Sequence, residues 1–153
     1  MINWYTDGDV EIKFSEIPRI GIRYILPSGS SEEIKSVKKY PFINKTNLKV
    51  QLVDKNKDIT YGFDIPKGYC YDGASVPRFF WRVIGSPTDN SFLIAALVHD
   101  ILCENHHYVM NDREFSTKVF DALLKLSDVY PLKRFFMKHS VNFYQKYFCR
   151  WSK

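Results

Sequence analysis

The sequence lacks any long apolar run, which excludes a membrane-spanning helix. Its longest uncharged apolar run, residues 91–98, has eight residues, whereas a helix needs about 20 to cross a bilayer. The opening residues, MINWYTDGDVEIKF, also lack the basic and apolar regions of a secretion signal. We therefore expect synthesis in the cytoplasm.

Glycine, proline and cysteine are also few, with seven, seven and three residues. The chain is 45% hydrophobic and 16% aromatic, which is enough to fill a core and excludes a disordered or collagen-like chain. Cys70, Cys103 and Cys149 are odd in number and share no CxxC spacing, so we expect free thiols in a reducing compartment. A length of 153 residues suits a single domain over residues 1–153.

Positive charge is concentrated at the C-terminal end. Residues 125–153 contain seven basic side chains and one acidic side chain, whereas residues 61–124 contain five and eight. Such a block attracts the phosphates of nucleic acid or of anionic lipid, although a solvated helix face has the same composition. Nucleic acid is the less favoured partner because no groove-reading motif is present.

The N-terminal half has the patterns of β-strands. Residues 9–26 mix alternation with Ile, Val and Phe, and residues 48–53 and 59–65 flank a polar break, which predicts a β-hairpin. The lysine-rich residues 30–39 are compatible with either a short exposed helix or a loop. Residues 69–77 (YCYDGASVP) are too rich in small side chains for a helix interior, so we predict a structured loop there.

Beyond residue 90 the apolar spacing changes to three and four residues, which is typical of helices. With their caps, the predicted helices run over 91–104, from Asn111 or Asp112 to 125, and from Pro131 to 149. The sequence therefore predicts an α+β fold, with N-terminal antiparallel β-hairpins or a sheet followed by a C-terminal three-helix unit.

The third predicted helix is amphipathic, with a broad apolar face. We predict that this face packs against the other two helices; the alternative is that it binds a membrane or a partner. Polar residues, including Gln145, are predicted to lie opposite. The centre of the apolar face is formed by Leu132, Phe136, Phe143 and Tyr147, and the face is widened by Met137, Val141, Tyr144 and Phe148.

Two short segments carry the candidate functional residues. Asp72 lies in the small-residue stretch YDGASVP, where the backbone can approach a ligand closely, although an Asx-turn would also explain it. His99 and Asp100 follow an apolar helical run. Adjacent helix residues point about 100° apart, so each needs its own partner. A histidine there is often a core residue, but a buried carboxylate is costly unless it is paired or metal-bound.

The residue types near these two segments leave two metal chemistries open. Zinc would accept His99 and Cys103, which are four residues apart, together with the histidines at 106–107. Oxygen ligands from Asp72 and Asp100 suit calcium equally well. No paired CxxC or HxxxH motif favours zinc.

Nucleophilic catalysis has less support in the sequence. Ser75 and Cys70 are candidate nucleophiles and His99 is a candidate base, but the G-x-S-x-G elbow is missing. A P-loop and a G-x-G-x-x-G motif are missing too, so a nucleotide-binding enzyme is not expected.

Three stretches of the sequence resemble a phage and prophage family of uncharacterised domains. They are IPKGYCYDGASVPRFFWRVIGSP, FLIAALVHDILCE and a following helix that begins with Arg113 and contains Phe120. The resemblance covers residues 40–151 as the family-like core, with residues 1–39 as an N-terminal addition. It implies a phage or prophage origin, and hence a location in the cytoplasm of the infected bacterial host or in the virion. It implies no particular reaction.

At the level of one motif, the His-Asp helix is also similar to the secreted phospholipases that cleave the sn-2 ester. This similarity implies that His99 is the general base and that Asp100 binds calcium, with zinc as the less favoured metal. It further implies that Asp72 and the carbonyls of Tyr71 and Gly73 complete the calcium site.

One position departs from the family pattern. Thr117, four residues after Arg113, stands where the family has an aspartate, so the carboxylate that would orient the histidine is missing. Asp121 is the better substitute because it is offset by only about 40° on the helix. Ser75, Arg113, Thr117 and Asp121 are therefore the candidate binding residues.

The sequence therefore predicts one of two functions. The first is a small phage protein with a hydrolase-like His-Asp site for calcium-dependent hydrolysis of an ester or a phospholipid. The second is a phage protein without enzymatic activity that binds a host or virion protein through its aromatic, basic C-terminal helix. An anionic lipid surface is a further candidate partner of that helix.

Overall fold

Antiparallel sheets and helices make up the parts of the chain that the structure describes. This computed structural model describes residues 2–24, 28–71, 93–105 and 112–147. Strands come first and three helices come last, which confirms the predicted α+β class. In chain order the elements are β1 (Ile2–Asp7), β2 (Val10–Phe14), β3 (Ile20–Ile22), α1 (Ser31–Lys39), β4 (Phe42–Asn44), β5 (Leu48–Asp54), β6 (Ile59–Ile65), β7 (Cys70–Tyr71), α2 (Leu93–Asn105), α3 (Arg113–Leu126) and α4 (Pro131–Tyr147).

The first sheet has four strands in the order β1-β2-β5-β6. Its β5–β6 pair is the predicted hairpin, in register from Leu48 opposite Ile65 to Asp54 opposite Ile59. The Asp54 carboxylate accepts the backbone N–H of Asn56 at 3.1 Å, which stabilises the turn. Alternate residues of β5 point inward, as the period of two requires.

The N-terminal segment supplies two of these four strands. β1 turns into β2 at Gly8, whose φ of 57° favours glycine, and β2 pairs with β5 so that Phe14 lies opposite Val50. The inward side chains of β2, Val10, Ile12 and Phe14, are 0 to 3% exposed and belong to the common hydrophobic core. The strand prediction over 9–26 is confirmed for β2 and β3, whereas β1 was not predicted.

A second sheet has three short strands in the order β3-β4-β7. The buried Asn44 at the end of β4 donates from its amide to the carbonyls of Ile65 and Pro66, at 3.3 and 3.0 Å. These bonds tie the second sheet to the end of β6. The predicted loop over 69–77 is wrong for residues 70–71, which form β7, and its remainder beyond residue 71 lies outside the described residues.

Residues 31–39, for which helix and loop were both open, form the helix α1. A capping box starts it: the Glu33 backbone N–H donates to Ser30 Oγ, and the Ser30 N–H donates to the Glu33 carboxylate, both at 3.2 Å. No residue of α1 is buried. Arg23 holds the helix from outside by donating to the Tyr40 carbonyl at 3.0 Å.

The predicted helices of the C-terminal half are present as α2, α3 and α4. Asp112 caps α3 by accepting the Phe115 N–H at 3.0 Å, and Pro131 begins α4, both as predicted. α2 is apolar on nearly all sides, which is typical of a helix inside a core. No described helix is long and apolar enough to cross a membrane.

The predicted apolar face of α4 is buried only in part. Met137 and Val141 are buried as predicted, and Phe136 packs against the core. Leu132, Phe143 and Tyr147 were expected to be buried, but they are 66%, 52% and 59% exposed. Aromatic residues occur on most sides of α4, so the apolar pattern does not define which side meets the core. The buried side chains of α4 are Met137, Ser140, Val141 and Gln145.

The expectation of free thiols is wrong for Cys103, which is disulfide-bonded. Cys70 is a free thiol, as predicted. Sequence spacing does not reveal which cysteines the fold brings together, so counting them could not find this bond.

Candidate functional site

His99 and Asp100 lie in the buried middle of α2. Nine residues of this helix are buried, and His99 and Asp100 are only 2% and 9% exposed. The His99 ring packs against Phe120 of α3, with 5.5 Å between the ring centroids. The helix is apolar on nearly every side, so His99 and Asp100 are carried into the core with their neighbours.

The His99 imidazole has no hydrogen-bond partner for either ring nitrogen within the described parts of the chain. Its Nδ1 lies 3.5 Å from Asp100 Oδ1, without a hydrogen bond. Burial lowers the pKa of His99 to about 4, so the ring is neutral at pH 7 and this contact is not an ion pair. An unpartnered buried polar group costs roughly 1–3 kcal/mol, so hydrogen bonding does not explain why a histidine stands here.

Tyr71 brings the start of the small-residue stretch against α2. Its hydroxyl donates to the Leu93 carbonyl in the first turn of α2 at 3.0 Å. Burial raises the pKa of Tyr71, and the negative charge of Asp100 raises it further. The structure thus packs Tyr71 against the first turn of α2, the helix that carries His99 and Asp100. The other predicted loop residues, Asp72, Gly73 and Ser75, lie outside the described residues.

Thr117, which replaces the family aspartate, lies in the interface between α3 and α4. Its hydroxyl is 3.1 Å from both Gln145 Oε1 and the Arg113 carbonyl. The Gln145 amide also donates to Ser116 Oγ at 2.9 Å. Thr117 therefore joins two helices.

Arg113 and Asp121 lie on the same helix as Thr117. Nε and Nη1 of Arg113 are buried and have no hydrogen-bond partner in the described ranges. Asp121 Oδ1 is 3.7 Å from Nη1 of Arg134 on α4, which is its charged neighbour. The side chain of α3 that is shown in contact with the His99 ring is Phe120.

The sequence did not reveal the roles of two residues in this region. The sequence suggested only the backbone carbonyl of Tyr71, as a calcium ligand. The structure shows a hydrogen bond from its side-chain hydroxyl to Leu93. Gln145 was placed on the polar side of its helix, yet it is fully buried. Only its position on α4 relative to the core reveals this, and the sequence pattern did not specify that position.

We predict that Gln145→Leu destabilises the protein. The Ser116 hydroxyl then loses its buried partner, which costs about 1–2 kcal/mol of unfolding free energy. Urea denaturation measures the loss, and Asn142→Leu, at a half-buried position of the same helix, is the matched control. Equal stability of the two variants would show that the Gln145 network contributes nothing.

The described residues include only some of the predicted metal ligands. They contain no group of three or more His, Cys, Asp or Glu side chains that could hold a metal ion. Because Cys103 is disulfide-bonded, it is not available as a zinc thiolate. Of the predicted calcium ligands, Tyr71 and Asp100 are within the described residues. The histidines at 106–107 are outside them.

The fold and the site define an α+β protein with a buried His-Asp pair in the first of its three C-terminal helices. The chain belongs to the family described as "Protein of unknown function (DUF1353)", whose model matches residues 46–141. The match begins just before β5 and ends within α4, so it contains both candidate segments. β1 and β2 lie outside it.

A segment of 48 residues is 40% identical to part of "Uncharacterized protein y4jT" of Sinorhizobium fredii (strain NBRC 101917 / NGR234). This segment is 31% of the present chain and 14% of that protein. The comparison therefore concerns a small part of a much longer relative. No solved structure gives a significant match.

Proposed function

We propose that the protein is a hydrolase of a carboxylic ester or a phospholipid, with His99 as its general base. The observation that carries this proposal is the buried, neutral imidazole, which lacks a hydrogen-bond partner among the described residues and lies 3.5 Å from a carboxylate. Buried polar groups without partners are rare in folded proteins and call for an explanation. A catalytic role supplies one, because the ring must be able to accept a proton.

The geometry assigns different roles to the two ring nitrogens. Nδ1 faces Asp100, which favours the tautomer with the proton on Nδ1 and leaves Nε2 as the base. Nε2 takes a proton from water while the water oxygen bonds to the carbonyl carbon. The ester C–O bond then breaks, and the same proton passes to the leaving alcohol. Asp100 stabilises the imidazolium in between.

This reaction requires that water and the ester reach His99, and that its imidazole is basic enough to accept a proton. His99 is 2% exposed, so the site must open to admit water and the ester. A pKa of about 4 makes the imidazole neutral at pH 7, though a weaker base than an exposed histidine. Admission of water raises that pKa by relieving desolvation.

Calcium is part of this proposal as the cofactor. Asp100, Asp72 and the carbonyls of Tyr71 and Gly73 would hold it, and the bound ion would stabilise negative charge on the ester oxygen. Zinc is the less favoured metal.

The proposal includes the phage or prophage origin that the sequence motifs imply. Of the two locations, the infected cytoplasm and the virion, the disulfide at Cys103 favours the virion, since disulfides persist in oxidising surroundings. The alternative function, a binding protein without enzymatic activity, is supported by the exposed aromatic residues of α4.

The test compares wild-type protein with His99→Leu on p-nitrophenyl butyrate and on phosphatidylglycerol vesicles, with calcium, zinc or EDTA. We expect His99→Leu to lose at least about 100-fold in rate. Its thermal midpoint should equal or exceed that of the wild type, because an apolar side chain of similar volume replaces unpartnered nitrogens. Asp100→Asn should remove any effect of calcium.

The matched control is Ile101→Val, which changes one methyl group on the same helix and should keep the rate. If wild-type protein hydrolyses neither probe under any of the three conditions, or if His99→Leu keeps the full rate, His99 is not a catalytic base. The binding function would then be the better account.

A further inference from the structure

One side of α4 is apolar and exposed along the length of the helix. Leu132, Phe135, Phe143 and Tyr147 fall within an arc of about 120° and span about 22 Å. They are 52 to 66% exposed, and Tyr130, just before the helix, is 79% exposed. We call these five residues the aromatic stripe. They account for five of the nine large hydrophobic side chains that are exposed in the described part of the chain.

The helix that carries the aromatic stripe has basic residues and no acidic ones. Its sequence, PLKRFFMKHSVNFYQKY, contains four Lys or Arg residues and neither Asp nor Glu. Lys146 is exposed and falls within the arc of the stripe, with its Nζ 5.3 Å from the centre of the Tyr147 ring. A surface complementary to this side of α4 must therefore accept apolar side chains and offer negative charge.

We propose that the aromatic stripe is the docking surface for an anionic lipid membrane. A bilayer surface offers acyl chains for apolar side chains and phosphates for lysines, which is how amphipathic basic helices bind. Tyrosines stand at both ends of the stripe, with leucine and phenylalanine between them. Tyrosine favours the membrane interface because its ring is apolar and its hydroxyl is polar.

A second copy of the chain is a poorer occupant. In a symmetric dimer the same patch contacts itself, so Lys146 of one α4 would be enclosed against an α4 that has no carboxylate to pair with it. Burying a lysine without a partner opposes association. A membrane containing anionic lipid has no such conflict.

The experiment is co-sedimentation with vesicles of phosphatidylcholine containing about 30% phosphatidylglycerol, and with vesicles of phosphatidylcholine alone. We expect binding to the anionic vesicles that weakens with salt. The double variant Leu132→Ser/Phe143→Ser should bind at least about tenfold more weakly, and Lys146→Glu several-fold more weakly. Ile17→Ser/Tyr24→Ser, which removes two side chains 60% and 80% exposed elsewhere, should bind like wild type.

Circular dichroism establishes that each variant is folded. The proposal is overturned if wild-type protein does not bind anionic vesicles, or if the stripe variant binds as well as the control. It is also overturned if size exclusion shows a dimer that the stripe variant dissociates. The result is distinguishable from the hydrolase proposal, because His99→Leu should keep full vesicle binding.

Discussion

A chain that begins at residue 16, and so lacks β1 and β2, is expected to lose cooperative unfolding altogether. The truncation removes Val10, Ile12 and Phe14 from the core and leaves β5 paired on one side only, with β6. Losing one large buried side chain costs about 2–5 kcal/mol, and a whole domain is stable by only about 5–15 kcal/mol. Three such losses are therefore comparable with the entire stability.

Urea denaturation followed by circular dichroism measures this effect, since a folded chain gives a sigmoidal transition. Phe14→Ala in the full chain provides a graded version, with an expected loss of about 3–5 kcal/mol. Lys13→Ala, on the opposite face of the same strand, is the matched control and should change little. A truncated chain that unfolds like the full one would show that residues 1–15 are a dispensable addition.

Acidification from pH 7 to pH 4 is expected to cost the protein about 3 kcal/mol through His99 alone. Burial lowers the pKa of His99 from 6.5 to about 4. As the pH falls below 6.5, the unfolded chain binds a proton at this histidine and the folded chain does not. The unfolding free energy therefore falls between pH 6.5 and pH 4, by about 1.4 kcal/mol for each unit of pKa difference.

The matched comparison is urea denaturation of wild-type protein and His99→Leu at pH 7 and pH 4. Other groups titrate in both proteins, so the difference between their pH dependences isolates His99. We expect His99→Leu to lose about 3 kcal/mol less on acidification. His139→Gln, at an exposed position on α4, should behave like wild type. Identical losses in His99→Leu and wild type would mean that His99 titrates normally in the folded protein.

The sequence predicted the elements whose signals are local. The β5–β6 hairpin follows from alternation on both sides of a polar break, and α3 follows from its Asp112 cap and its apolar stripe. β4 and β7 have only three and two residues, too few to show a period. These strands form because segments that are distant in the sequence pair with each other. That pairing depends on the whole fold.

The candidate site also has features that the sequence predicted and features that depend on the whole fold. The apolar surroundings in the sequence indicated a buried histidine at position 99, and the structure agrees. The absence of hydrogen-bond partners for its ring among the described residues, and its contact with Phe120, depend on how α2 and α3 pack. The orientation of α4 is a further case, since its broad apolar face gave no reason to prefer Met137 over Phe143 as the buried residue.

Whether His99 serves catalysis is decided by the rate of ester hydrolysis by His99→Leu relative to wild type, in samples whose unfolding midpoints are also measured at pH 7. We expect a rate at least about 100-fold lower with an equal or higher midpoint, since the histidine serves chemistry at the expense of stability. An unchanged rate with a clearly lower midpoint would contradict it and make His99 a structural residue.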